Sequence, residues 1–187
     1  MKFTFRCCVA LCAVLLAACA GVGPPRGADT APAFELAGRI VVRNQERGFS
    51  SSLRWKQANG RDELWLTAPL GQTIAFLEAD ANGATLTASD QKQYRASSIE
   101  SLTKSAFGWR FPVDGLRYWV FGEAAPGMSP ATIERDGAKR IARMKHDDWQ
   151  IALNYATSDA TRPSRLDIVG NDAEIRLAID SLSRDQP

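Results

Sequence analysis

From Phe34 onward, apolar and polar residues alternate with period two, and turn residues interrupt the alternation at short intervals. Phe34, Leu36, Gly38, Ile40 and Val42 share one face of a first strand, and Phe49, Ser51, Leu53 and Trp55 repeat the pattern on a second. Asn59-Gly60, a strong two-residue hairpin signal, feeds a strand over 64–68. Pro69-Leu70-Gly71 predicts another tight hairpin, because proline fixes one backbone angle and glycine permits a positive one; a strand over 72–79 follows it. Asn82-Gly83 introduces a short strand through Leu86, and Asp90-Gln91-Lys92 separates that strand from one around Tyr94. Every connection is short, so this half of the chain is predicted to be an antiparallel meander.

The period changes at Ser97. Ser97-Ser98-Ile99-Glu100 fits a capping box, with Ile99, Leu102, Thr103 and Ala106 on one helical face and Gly108 as the stop. After Trp109-Arg110-Phe111-Pro112-Val113, Asp114 can cap a second short helix over 115–121, ended by Gly122. Strands resume over 132–135, turn at Asp136-Gly137, and continue over 140–145, 149–155, 164–169 and 174–182. The expected fold is mainly β within the α+β class. A single antiparallel sheet of about eleven strands, interrupted by two helices, implies strong curvature or an incomplete barrel, with the helices lying across its open mouth.

The N-terminus adds an address. Residues 1–18 read as a secretory signal, with Lys2 and Arg6 at its start and an uncharged apolar core from Cys7 to Leu16 that is too short to span a bilayer. The segment ends Leu16-Ala17-Ala18-Cys19, similar to the lipobox of bacterial lipoproteins. That similarity implies cleavage before Cys19, a thioether-linked diacylglyceryl group on its sulfur and an N-acyl chain on the new terminus. No other cofactor is expected. Ala20 follows in place of the aspartate that retains enteric lipoproteins in the inner membrane, which favours the outer membrane. Cys7, Cys8 and Cys12 leave with the signal, so Cys19 is the one thiol of the mature chain and acylation removes it. Residues 19–32 carry small residues, glycine and proline and read as a flexible tether; residues 33–187 form the single domain.

Composition closes off several functions. The chain carries 23 Lys and Arg against 21 Asp and Glu, and loss of Lys2 and Arg6 with the signal leaves the mature protein neutral, with no basic excess for nucleic acid. His146 is the sole histidine and sits in a predicted turn, His146-Asp147-Asp148. With no free cysteine and one histidine there is no usual zinc set and no triad, and neither a nucleophile elbow nor a phosphate-binding glycine loop occurs. Asp80, Asp90, Asp136 and Asp172 fall at predicted turns, where hydrogen bonding to backbone accounts for them.

Leu70 stands out because a hairpin tip offers an apolar side chain nothing to pack against within its own domain. Either it folds onto a neighbouring loop, or it leaves water by entering something else. Were the interior hollow, Trp55, Trp65, Leu66, Ile74, Phe76, Trp119, Phe121 and Trp149 would be the candidates to line it, with a solid aromatic core as the alternative role for each. The run Ile74 to Leu77 is apolar on both faces, so alternation does not assign inside and outside there. Tyr118 and the tryptophans are candidates for an aromatic belt at headgroup level.

An ordered set of residues resembles one family. Phe34 with Leu36 and Gly38-Arg39-Ile40, Leu53 with Trp55, and Pro69-Leu70-Gly71-Gln72 are followed by Gly108-Trp109 with Phe111-Pro112 and by Leu116-Arg117-Tyr118-Trp119-Val120 with Gly122. Trp149-Gln150-Ile151 with Tyr155, then Pro163 with Arg165-Leu166, complete the set. Together they are similar to the LolB family of outer-membrane lipoproteins. The resemblance implies a lidded half-barrel around a hydrophobic cavity. It also implies receipt of acylated lipoprotein cargo from the periplasmic carrier LolA and insertion of that cargo into the phospholipid of the outer membrane. Pro69, Leu70 and Gly71 would be the membrane-insertion loop of a monomer acting without nucleotide. The C-terminal Asp180-Ser181-Leu182 departs from the tryptophan many relatives carry. Two alternatives remain: a lipid-anchored scaffold or chaperone for another outer-membrane assembly, which predicts a solid core and an exposed edge strand, and a lipid-anchored hydrolase depending on His146.

Overall fold

A computed structural model of the chain describes residues 33–44, 48–127 and 132–184, all within a unit spanning 31–187. The signal peptide, Cys19 and the tether lie outside the described residues. Eleven strands and two helices follow in order: β1 (Phe34–Arg43), β2 (Gly48–Ala58), β3 (Arg61–Thr67), β4 (Thr73–Asp80), β5 (Gly83–Ala88), β6 (Gln93–Ala96), α1 (Ile99–Phe107), α2 (Val113–Trp119), β7 (Ile133–Arg135), β8 (Ile141–His146), β9 (Trp149–Asn154), β10 (Arg165–Val169) and β11 (Glu174–Arg184).

The strands form one antiparallel sheet in the order β6-β5-β4-β3-β2-β1-β11-β10-β9-β8-β7. Two meanders therefore meet at the β1–β11 seam, and the sheet stays open with β6 and β7 as its edges. Alternation sets the faces: Phe34, Leu36, Ile40 and Val42 are all buried, while Arg39 and Arg43 on the other face are exposed. A single hydrophobic cluster runs from Leu86 of β5 through the helices to Met144 of β8, so the sheet curls around what it encloses. At the seam the register shifts between Ala37 and Gly38. A Cβ on Gly38 would lie 2.2 Å from the carbonyl oxygen of Ala178, so only glycine permits this approach.

Both helices form where the apolar period lengthens, with boundaries that differ from expectation. In α1 the capping box sits one residue later: Ser98 Oγ accepts from the Ser101 amide at 3.1 Å, and the Ser98 amide donates to Ser101 Oγ at 3.1 Å. Gly108, at φ 82°, ends the helix as expected. Ile99, Leu102 and Thr103 are buried, whereas Ala106 is exposed. Helix α2 begins at Val113, not at residue 115, with Pro112 at its N-cap. Asp114 falls inside the first turn, 3.3 Å from Arg117, where its charge complements the helix dipole without capping it.

The predicted turn carboxylates divide. Asp80, Asp90 and Asp136 accept from the backbone amides of Asn82, Lys92 and Ala138 at 2.7, 3.1 and 2.9 Å. Asp172 instead pairs with side chains, with Lys104 at 3.0 Å and Arg110 at 3.7 Å, and so ties the β10–β11 turn to the end of α1. Among the described residues no helix is long and apolar enough to cross a membrane.

Candidate functional site: an apolar cleft beside an exposed leucine

Strand registers place the β3–β4 turn, the β5–β6 turn and the far end of β1 at one pole of the sheet, opposite Phe34 and Asn59-Gly60. At that pole a cleft of about 850 Å³ opens between the sheet and the C-terminal half of α1, within the size range of small-molecule sites. Its walls are Val42 and Phe49 from the first hairpin, Leu66 and Ile74 from the second, Leu86 and Tyr94 beyond them, and Ala106, Phe107 and Trp109 from the helix side. No residue lining it carries a carboxylate, ammonium or guanidinium group. A smaller void of about 30 Å³, bounded by Ile40, Leu53, Leu77 and Phe111, shares Phe49, Leu66, Phe107 and Trp109 with the cleft and carries its apolar floor toward the core.

Trp109 organises the roof. Its ring is 6.2 Å from Phe107 in a stacked arrangement, 6.1 Å from Phe49 and 6.2 Å edge-on from Phe111. The helix stop at Gly108 turns the chain so that Trp109 follows α1 directly onto this cluster. On the outer side, Lys104 Nζ donates to the Gly108 carbonyl at 3.0 Å and so holds that turn.

The hairpin tip is built as its residue types dictate. Gly71 adopts φ 85° and its amide donates to the Ala68 carbonyl at 2.8 Å, while the Ala68 amide donates to the Gln72 carbonyl at 2.8 Å. At the tip of this turn Leu70 projects into solvent at 91% exposure. The large exposed apolar residues among those described are Phe49, Leu70, Ile74, Tyr94, Phe107 and Val169; all except Val169 lie in the cleft or at this tip. Such clustering marks an interaction site and is not the scatter ordinary on a soluble surface.

The expected lining residues divide into three groups. Leu66 and Ile74 line the cleft. Trp55, Trp119, Phe121 and Trp149 do not: each is at most 6% exposed, and the inward face they occupy is filled by side chains. Phe34 packs edge-on against Trp55 at 4.8 Å and Phe121 at 5.5 Å, and Trp119 meets His146 at 5.7 Å. Trp65 and Phe76 lie on the opposite, outward face, because Leu64 and Ala75 beside them point inward; their rings are 5.2 Å apart. Tyr118 packs against the core and does not join a belt. Phe49, Tyr94, Phe107 and Trp109 were absent from the expected lining. Their signals were an alternating strand for Phe49 and the Gly108 helix stop for Trp109, but neither pattern reveals that helix and strand face each other.

His146 is half-buried against Trp119, 3.8 Å from Asp147. Among the described residues no group of three or more His, Cys, Asp or Glu could hold a metal. The cleft offers apolar surface and no charged group, an arrangement suited to alkyl chains.

Comparison with known proteins agrees in sequence across the domain. The family model for outer membrane lipoprotein LolB matches residues 32–181. The chain is 34% identical to the outer-membrane lipoprotein LolB of Thiobacillus denitrificans, covering 92% of this chain and 94% of that protein. It is 35% identical to the LolB of Cupriavidus metallidurans, covering 88% and 89%. A crystal structure of a putative outer membrane lipoprotein-sorting protein domain from Vibrio parahaemolyticus superposes with a TM-score of 0.45 at 11% identity, covering 84% of this chain and 87% of that one. By its match over nearly the whole domain, the chain belongs to the LolB family of outer-membrane lipoproteins, a lipoprotein-localisation family and not a family of enzymes.

Proposed function

We propose that this protein, a monomer held by the lipids of Cys19 at the periplasmic face of the outer membrane, receives acylated lipoproteins from LolA in the apolar cleft and inserts them into the inner leaflet. The observation that carries this reading is positional: Leu66 and Ile74, four residues to either side of Leu70, line the cleft. One hairpin therefore supplies both a wall for an alkyl chain and an exposed apolar tip.

The energetics make direct hand-over necessary. A triacylated cysteine carries on the order of 40 methylenes, and at about 0.8 kcal/mol each their full exposure would cost roughly 30 kcal/mol, an upper bound because the chains clump. Cargo must pass from one apolar site to another without entering water, and successive affinity differences supply direction without nucleotide. Leu70, worth about 1.5 to 3 kcal/mol when fully buried, is too weak to anchor the domain and strong enough to orient one already tethered by lipid.

A photoreactive residue in place of Phe49 in the cleft should capture the acyl chains of cargo delivered by the carrier, whereas the same residue in place of Phe76 on the outward face should capture none. Equal capture at both positions, or capture only at the outward position, would remove the cleft from the route.

A further inference from the structure

The outward face of the β3–β4 hairpin grades from apolar to aromatic to charged in three steps. Leu70 forms the tip. Next come the paired rings of Trp65 and Phe76, half-buried and 5.2 Å apart, with the Arg54 guanidinium 5.5 Å over Trp65. Beyond them Arg61 bridges Glu63 at 3.1 Å and Glu78 at 2.5 Å. No ionisable side chain occurs from Leu64 to Leu77. The aromatic pair faces away from the core and contributes nothing to the cleft, so neither hydrophobic burial within the domain nor cargo binding accounts for it.

We infer that this face rests on a phospholipid surface, with Trp65 and Phe76 forming an interfacial collar that sets how deep Leu70 enters. The inference extends the reading of Leu70 as a membrane-contacting residue and rests on it. Dimensions support a lipid occupant. At about 3.3 Å per residue the strand rises about 10 Å from Trp65 to Ala68, where the turn closes, and the tip carries Leu70 roughly 3 Å further; the Arg61–Glu63 step begins about 7 Å behind Trp65. A bilayer has a headgroup layer of roughly 5 to 8 Å on each side of its hydrocarbon core. With the rings at the outer margin of the headgroups, Leu70 passes roughly 5 to 8 Å into the acyl region, within the depth at which interfacial elements bind. The charged step then stays in water. The Asp90–Lys92 pair, 2.8 Å apart on the neighbouring turn, falls at headgroup level, where it remains hydrated. Tryptophan over an arginine suits this layer, since the ring favours the interface and the cation faces lipid phosphate.

The test is the emission of the lipid-anchored mature protein in phosphatidylethanolamine–phosphatidylglycerol vesicles carrying a nitroxide either on the headgroup or near the acyl chain end. Trp55, Trp119 and Trp149 are at most 5% exposed and Trp109 faces only the cleft, so the quenching lost in the Trp65→Phe variant reports on Trp65. Headgroup nitroxide should quench at least twice as strongly as chain-end nitroxide, Trp65→Phe should abolish the difference, and Leu70→Glu should halve the headgroup quenching or more. If Trp65 stays unquenched and open to aqueous iodide while Leu70→Glu still blocks delivery, the collar is wrong and the Leu70 reading stands. If Trp65 is quenched equally with and without Leu70, the coupling of collar to tip is overturned. Protection of Trp65 from iodide by LolA in the absence of vesicles would make the face a protein-docking surface and overturn the lipid assignment.

Discussion

The indole Nε1 of Trp55 donates at 2.9 Å to the carboxylate of Asp62, a side chain only 1% exposed that also receives a charge-assisted hydrogen bond from Arg117 of α2. One buried carboxylate thus joins β2, β3 and the second helix. Arg117 is held from its other side by Asp114. Breaking a buried pair by removing one partner leaves an uncompensated charge, which typically costs about 3–5 kcal/mol. Arg117→Ala and Asp62→Ala should each lower stability by about that amount in urea unfolding, and the double variant by less than the sum. Additive losses would show that the two residues do not act as a pair.

Glycines at the seam and at the tip should respond differently to the same change. Gly38→Ala drives a methyl group against the Ala178 backbone, which has no room to yield, and should cost about 1–3 kcal/mol or more. Gly71→Ala meets open space and carries only the left-handed backbone penalty of about 1 kcal/mol. Thermal unfolding of the two variants separates these cases, and a smaller loss at Gly38 than at Gly71 would contradict the close β1–β11 approach.

Much of the sheet was legible because each strand carries its own alternation and each turn its own chemistry. Asn59-Gly60 and Asp90-Gln91-Lys92 mark turns by residue type alone, and their left-handed residues, Asn59 and Gln91, sit where expected. The apolar tip was legible for the same local reason, but residue types alone leave open whether Leu70 packs on a neighbouring loop or faces solvent, and the structure shows it exposed. What was not legible depends on partners remote in the chain. Nothing near Gly38 announces that Ala178 passes against it, and the aromatic cluster at Trp109 exists only once α1 lies over β2. Phe76 lies in a run apolar on both sides, where alternation assigns no face, and its cross-strand pairing with Trp65 on the outward face becomes visible only with the register. The capping box moved by one residue because Ser97 and Ser98 are chemically equivalent candidates.

Acid should act on three carboxylates in opposite senses. The side chain of Arg140 and neighbouring amides hold Asp136 below the usual carboxylate range; for Asp167, burial pushes upward but Arg176 and Arg165 outweigh it and leave the group lowered. A lowered folded value means stability present above the unfolded value near 4 and lost as pH falls through the folded one. Glu100 is the reverse: burial, then the charges of Asp114 and Asp147, raise it, so the fold binds its proton more tightly and gains as pH falls through that raised value. Glu100→Gln should therefore raise the melting temperature at neutral pH and leave it nearly unchanged at pH 4, whereas Asp167→Asn should lower it at neutral pH and matter least in strong acid. Identical pH profiles for the two variants would contradict these assignments.

Filling the cleft should block it without unfolding the domain. Ala106 is exposed at the cleft wall, so Ala106→Trp places an indole in the opening at little cost to the core. Affinity for a fluorescent fatty acid should fall at least tenfold while the unfolding free energy stays within about 0.5 kcal/mol of the parent. Unchanged affinity would show that the alkyl chain binds elsewhere.

The most direct test of the whole account is delivery of an acylated lipoprotein from the LolA complex to vesicles by the protein and by its Leu70→Glu variant. Because the tip touches neither core nor cleft, the variant should take cargo from the carrier at the parental rate. Replacing about 1.5 to 3 kcal/mol of apolar insertion with a charge that resists burial should then cut delivery to the bilayer at least tenfold. Delivery at the parental rate would contradict the assignment of Leu70 and, with it, the coupling of cleft to membrane.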